Sequence, residues 1–231
     1  MKSDGHFTTS DEEAACTLAE CFQSTFTKEK DGALPTSTDT RDSTDINVDF
    51  SEETVKKMLQ GLAEENSPGL DEVHPLLLKA YAQSLTGPLA IIFHKSYESG
   101  QIPSNWKTAH IIPIYKNAGV RSDPVNYRPV SLMSVTCKLM EMIIKDTLTC
   151  YLDVTDIISP HQHGFMSGRS CLNNLLETLE CWTQALDEGT GIDVLYLDYH
   201  KAFHSVPHKR LIERFTSTES LANCWSGYKA S

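Results

Sequence analysis

Asp198 closes the run Ile192-Asp193-Val194-Leu195-Tyr196-Leu197-Asp198, whose β-branched and aromatic content predicts a core strand. A carboxylate at the end of a strand, followed by a tight turn, stands at a sheet edge where a hard divalent cation and substrate phosphates can meet it. Two-metal phosphoryl transfer needs such a carboxylate to bridge ions held about 4 Å apart, and at least one further acidic ligand from a neighbouring strand. No Asp-Asp pair occurs anywhere, and the 33 residues after Asp198 contain only Glu213 and Glu219 as acids. Standing alone, a strand-terminal Asp serves equally well as a turn or capping residue.

Two other groupings could bind ligands. His200, His204 and His208 recur every four residues, and His161 and His163 lie two apart. On one continuous helix the first three would share a face suited to zinc, but Pro207 interrupts that helix, so no zinc site is expected. Between residues 105 and 145, Lys107, Lys116, Arg121, Arg128, Lys138 and Lys145 stand against Asp123 and Glu141, six minus two, a net charge of +4. That is a local basic surface, either a solvated face or a phosphate-binding one, depending on whether the charges converge in space.

The elements that would position these groups follow from capping residues and periodicity. Ser10, followed by Asp11-Glu12-Glu13, caps a first helix with Leu18, Phe22 and Phe26 at helical spacing. Residues 27–49 turn polar and read as a flexible linker, so the folded domain is expected to begin near Ser51. Ser51 caps a second helix with an apolar stripe of Val55, Met58, Leu59 and Leu62. Two further helices are expected, one from Pro75 through Leu85 closed by Gly87, the other from Leu89 to Tyr97 closed by Gly100.

The texture then changes. Thr108-Ala109-His110-Ile111-Ile112-Pro113-Ile114-Tyr115, a polar loop from Lys116, and Tyr127-Arg128-Pro129-Val130-Ser131-Leu132 predict a β-hairpin, its prolines confining parts of it to an edge. Ser134 is expected to cap a long amphipathic helix through Leu152. Ser170 caps another, expected to bury Leu172, Leu175, Leu176, Leu179, Trp182 and Leu186. A short helix from Pro207 to Phe215 follows the strand at 192–198.

Composition sets the bounds. Of 231 residues 40% are hydrophobic, about 92 side chains, enough for one domain core. The net charge of −11 is concentrated early: residues 1–50 hold 11 acidic and 4 basic side chains, net −7, with 14 Ser or Thr. No apolar run approaches the roughly 20 residues of a membrane span, and the first residues lack a secretory signal's basic patch and apolar stretch. A non-secreted protein of the cytoplasm or nucleus, with no membrane partner, is the expectation. Seven cysteines, odd in number and without a C-x-x-C pair, argue against a disulfide framework or zinc knuckle.

Five motifs, in order and at matching spacing, give a more specific reading. They are Asn66-Ser67-Pro68-Gly69-Leu70-Asp71, Asn105-Trp106-Lys107, Asn126-Tyr127-Arg128-Pro129-Val130-Ser131-Leu132, His163-Gly164-Phe165, and Tyr196-Leu197-Asp198 with Lys201-Ala202-Phe203 and Ser205-Val206-Pro207-His208. Together they resemble the reverse transcriptase of non-LTR (LINE-like, jockey/CR1-type) retrotransposons over residues 51–215. The resemblance implies an α/β right-hand polymerase fold: helical fingers with a β-hairpin, joined to a palm that is incomplete here. It divides the chain into an N-terminal helix and acidic linker (1–50), a partial reverse transcriptase domain (51–215) and a divergent tail (216–231).

What the resemblance implies about individual residues can be checked against physical sense. Lys116 and Arg128 would contact the incoming nucleotide's triphosphate, one as a point charge and the other as a fork. Phe203 falls where the family keeps a ring that senses the 2′-hydroxyl. Gln162, Gly164, Phe165 and Arg169 would lie near the template. Asp198 resembles the first metal-binding aspartate of the palm, the cofactor being Mg2+. The partners would be an RNA template, an RNA–DNA hybrid and a deoxynucleoside triphosphate.

The departures matter too. His204 stands where the family usually has Asp, and Met166-Ser167 where it usually has basic residues. The two-aspartate turn, the rest of the palm and the thumb are missing from these residues. A reverse transcriptase-like fragment without polymerase activity is therefore expected, holding Mg2+ poorly and open to a complementing fragment. The alternative is a non-catalytic nucleic-acid-binding or protein-interaction module derived from that domain.

Overall fold

Three serine caps set the frame. Ser10 accepts from the Glu13 amide, Ser51 from Thr54 and Ser170 from Asn173, and each starts a helix where the local sequence demands one. The computed structural model describes residues 7–27, 46–198 and 202–217. It divides into two units, residues 1–147 with 201–231, and residues 148–200.

In the first unit α1 (Asp11–Gln23), α2 (Glu52–Gln60), α3 (Pro75–Ala80) and α4 (Ala82–Ser99) precede the strands β1 (His110–Tyr115) and β2 (Tyr127–Leu132). The long helix α5 (Val135–Val154) begins in this unit and ends in the second, and α7 (Ala202–Ser205) and α8 (His208–Ser217) return to the first. The core joins Val55 and Leu59 of α2, Leu78 of α3, Leu89 and Phe93 of α4, and Leu139 and Ile143 of α5. Phe93 sits at its centre, edge-on to Phe50 at 6.1 Å and to Trp106 at 5.9 Å. Cys137 is buried there as well, and burial pushes its thiol up to about 12, so it stays protonated.

Two sequence expectations need correction in this unit. The core begins before Ser51, because Val48 and Phe50 are buried in it and Ile46 packs against it. Ile46, Val48 and Phe50 alternate at the period of extended chain, a signal present within the polar segment. Secondly, the helix break falls at Tyr81, and α4 runs through Gly87 and Pro88. A helix-interior proline costs about 3 kcal/mol, whereas burying Leu89 and Phe93 stabilises by about 1.5–3 kcal/mol each. Packing outweighs the lost amide.

β1 and β2 form a two-stranded antiparallel sheet with Ile112 opposite Val130, Pro113 opposite Pro129, Ile114 opposite Arg128 and Tyr115 opposite Tyr127. One face, carrying Ile111, Pro113, Pro129 and Ser131, lines a groove of about 530 Å³ with Leu18 and Phe22 of α1 and the following Phe26. The N-terminal helix thus lies along the hairpin.

The second unit holds α6 (Cys171–Asp187), the end of α5 and the loops between and after them. Among its described residues His163 is the one buried side chain. The leucines of α6 at 172, 175, 176, 179 and 186 are exposed rather than buried. The run 192–198 is also exposed and has no regular secondary structure, which corrects the expected core strand. A strand needs a partner for its backbone N–H and C=O groups, and the described residues of this unit contain none. No helix among the described residues is long and apolar enough to cross a membrane.

Candidate nucleotide and nucleic-acid interface

Strand alternation puts Ile112, Ile114, Arg128 and Val130 on the hairpin face opposite α1. Lys116 continues that alternation, and its amide donates to the Asn126 carbonyl at 2.8 Å, extending the ladder by one bond. Lys116 and Arg128 therefore belong to one exposed face, two rungs apart, with the Tyr115–Tyr127 rung between them. The Lys116 ammonium donates to the Val125 carbonyl at 2.7 Å.

The loop between them is built rather than loose. Tyr115 donates its hydroxyl to the Gly119 carbonyl at 2.6 Å, and Tyr127 donates to the Arg121 carbonyl at 2.9 Å. The two rings lie 5.6 Å apart, and the Arg121 guanidinium sits 5.2 Å above that of Tyr115. The Asn126 side-chain amide donates to the Val120 carbonyl at 2.9 Å, in space that a Cβ on Gly119 would invade at 2.5 Å. Gly119 has φ +77, so both conformation and room call for glycine. Arg121 and Asn126 are thus part of the site, although the sequence reading counted the first only as charge and the second only as motif. The Asn126-Tyr127-Arg128 order was the available signal.

In the second unit the residues expected near the template share one turn. The Gln162 side-chain amide donates to the Gly164 carbonyl at 3.0 Å, and Arg169 donates to the carbonyls of Gln162, at 2.9 Å, and Pro160. Arg169 here holds the turn together. Phe165 has φ +60 and is 94% exposed, an arrangement that presents a ring outward at a backbone position unusual for a bulky residue. Gly164 has room to spare, the nearest atom to an added Cβ being 3.7 Å away. Next to it His163 anchors the turn to α6, its Nε2 3.1 Å from the Glu177 carboxylate, while its buried Nδ1 has no partner among the described residues.

Asp198 lies exposed in the irregular segment after α6, in the second unit, whereas Lys116 and Arg128 lie in the first. Phe203 falls within α7 by its backbone, and its side chain lies outside the described residues, as do His200 and the side chain of His204. Among the described residues no three His, Cys, Asp or Glu side chains converge in a way that could hold a metal ion. Among the described residues, the donors around Asp198 do not fit a pair of divalent cations.

Comparison with known proteins bears on the family of the chain. Residues 114–227, from the end of β1 onward, match the family "Reverse transcriptase (RNA-dependent DNA polymerase)", a match reaching past Phe215 where the recognisable motifs stop. The chain is 30% identical over 162 residues to the "Probable RNA-directed DNA polymerase from transposon BS" of Drosophila melanogaster, covering 70% of this chain and 18% of that protein. To the "RNA-directed DNA polymerase from mobile element jockey" of the same fly it is 29% identical over 160 residues, 69% of this chain and 18% of the relative. To the "Retrovirus-related Pol polyprotein from type-1 retrotransposable element R1" of Bradysia coprophila it is 28% identical over 105 residues, 45% and 10% respectively. The chain spans less than a fifth of the length of each of these three relatives. Helices around a small antiparallel hairpin, the motif order and these matches lead to one conclusion: the chain belongs to the reverse transcriptase family, in its non-LTR, jockey-like retrotransposon branch.

Proposed function

We propose that the hairpin is the nucleotide-binding part of the reverse transcriptase fingers, and that this 231-residue polypeptide retains nucleotide and nucleic-acid binding without polymerising by itself. Lys116 and Arg128 contact the triphosphate of a deoxynucleoside triphosphate. The turn carrying Gln162, Gly164, Phe165 and Arg169 lies against the template, with the exposed Phe165 ring stacking on a base. Asp198 corresponds to the first palm aspartate, and Phe203 to the ring that senses the 2′-hydroxyl. In the intact family Mg2+ would supply charge stabilisation at the transferred phosphoryl group.

One observation carries the binding half of this reading: the register that puts Lys116 and Arg128 on one face, two rungs apart, with a hydrogen-bonded loop between them. The inactive half rests on the donor set: two-metal transfer needs at least one acidic ligand besides a bridging carboxylate, and among the described residues none converges on Asp198.

Two measurements test it. Primer extension on an RNA template with Mg2+ should give no product above background, and extension by the purified chain overturns the inactive reading. Binding of an RNA–DNA hybrid should weaken as salt rises. Lys116→Ala with Arg128→Ala should reduce the slope of log affinity against log salt by about 1–2. A double variant with unchanged affinity and slope overturns the hairpin assignment.

A further inference from the structure

The Asn66-to-Asp71 motif has no part in the site above, yet it packs against the joint where the hairpin leaves the helical body. That joint is Met133 and Ser134, the two residues between the end of β2 and the start of α5. Gly69 is buried against it so closely that a Cβ would lie 2.4 Å from the Met133 oxygen, 2.5 Å from its carbonyl carbon and 2.6 Å from the Ser134 nitrogen. These are backbone atoms and cannot swing aside. Two residues on, the Asp71 carboxylate accepts a hydrogen bond from the Ser134 hydroxyl at 2.6 Å. Ser134 is 1% exposed, and its oxygen lies 2.8 Å from the Thr136 hydroxyl. With Ser134 donating to Asp71, the Thr136 hydroxyl donates to Ser134, and the buried group is satisfied on both sides.

We infer that the Gly69–Asp71 loop is a clamp on the exit of the hairpin, with Gly69, Asp71 and Ser134 acting as positioning residues for Lys116 and Arg128. β2 meets α5 through only two residues, and rotation about that joint would swing the cation-bearing face relative to the helices. The loop removes this freedom twice, by backbone contact that only glycine permits and by a charge-assisted hydrogen bond from a buried hydroxyl to a surface carboxylate. The inference rests on the reading that the hairpin cations contact a nucleotide, but the clamp can be tested apart from it.

The full chain is compared with Asp71→Ala, which removes the acceptor, Asp71→Asn, which keeps an oxygen for Ser134, and Gly69→Ala, which forces the backbones apart. In hydrogen exchange without ligand, Asp71→Ala should speed exchange of the hydrogen-bonded hairpin amides by about tenfold while those of α2 and α4 stay unchanged. Asp71→Asn should recover most of the protection, and Gly69→Ala should resemble Asp71→Ala. Unchanged hairpin exchange, or acceleration equal in α2 and α4, overturns the clamp. A parallel titration with a fluorescent deoxynucleoside triphosphate should show several-fold weaker binding for Asp71→Ala. Unchanged affinity in a variant whose hairpin has loosened overturns the positioning role. A native chain that binds no nucleotide refutes the nucleotide reading and the positioning role with it, while the exchange measurement still decides the clamp.

Discussion

Asp49 shows how single residues here do local structural work at the edge of the core. Its carboxylate accepts from the Ser51 amide at 2.9 Å, the Ser51 hydroxyl at 3.0 Å and the Thr54 hydroxyl, tying the chain to the start of α2. The Thr54 hydrogen bond first, then those of Ser51, hold its pKa below the ordinary carboxylate value of 3.8. A folded pKa below the unfolded one contributes stability that is fully present above the ordinary value and lost as pH falls through the folded value. Asp49→Asn should therefore lower the melting temperature at pH 7 by about 2 °C, a modest effect because the group is exposed. The gap between native and variant should hold constant down to about pH 5 and shrink below pH 4. A gap that widens in acid contradicts the assignment.

The elements separate what local sequence determines from what it does not. The caps at Ser10, Ser51 and Ser170 and the hairpin between residues 110 and 132 are legible because each depends on neighbours a few residues away. α4 running through Pro88, and the burial of Val48 and Phe50, depend on packing partners distant in sequence, as does the failure of 192–198 to form a strand. The candidate cations were legible as motif residues. The Tyr115–Tyr127 pair and the cradle at Gly119 were not, because they arise only once the register brings the two strand ends together. Gly119→Ala should destabilise by about 1–2 kcal/mol in urea unfolding, combining an unfavourable φ with collision against Asn126. If unfolding is unchanged, the loop is not the rigid element described.

At the scale of the molecule the two units differ in kind. The first has a continuous apolar core, whereas in the second, among its described residues, only a histidine is buried and the leucine stripe of α6 faces outward. Local stability follows buried apolar contact, so among the described residues limited proteolysis should cut first between residues 157 and 198 and leave α2, α4 and the N-terminal half of α5 intact. First cuts inside α2 or α4 would refute this ordering.

The facing prolines of the hairpin carry one more consequence. Neither Pro113 nor Pro129 has an amide hydrogen, and the ladder bond from Lys116 to Asn126 puts this pair on a rung whose polar groups point outward, one to each flank. Each flank is therefore interrupted at its midpoint, and an incoming extended peptide finds no continuous row of donors on either side. Those two rings guard the naked ribbon against stacking into fibrils with its own kind.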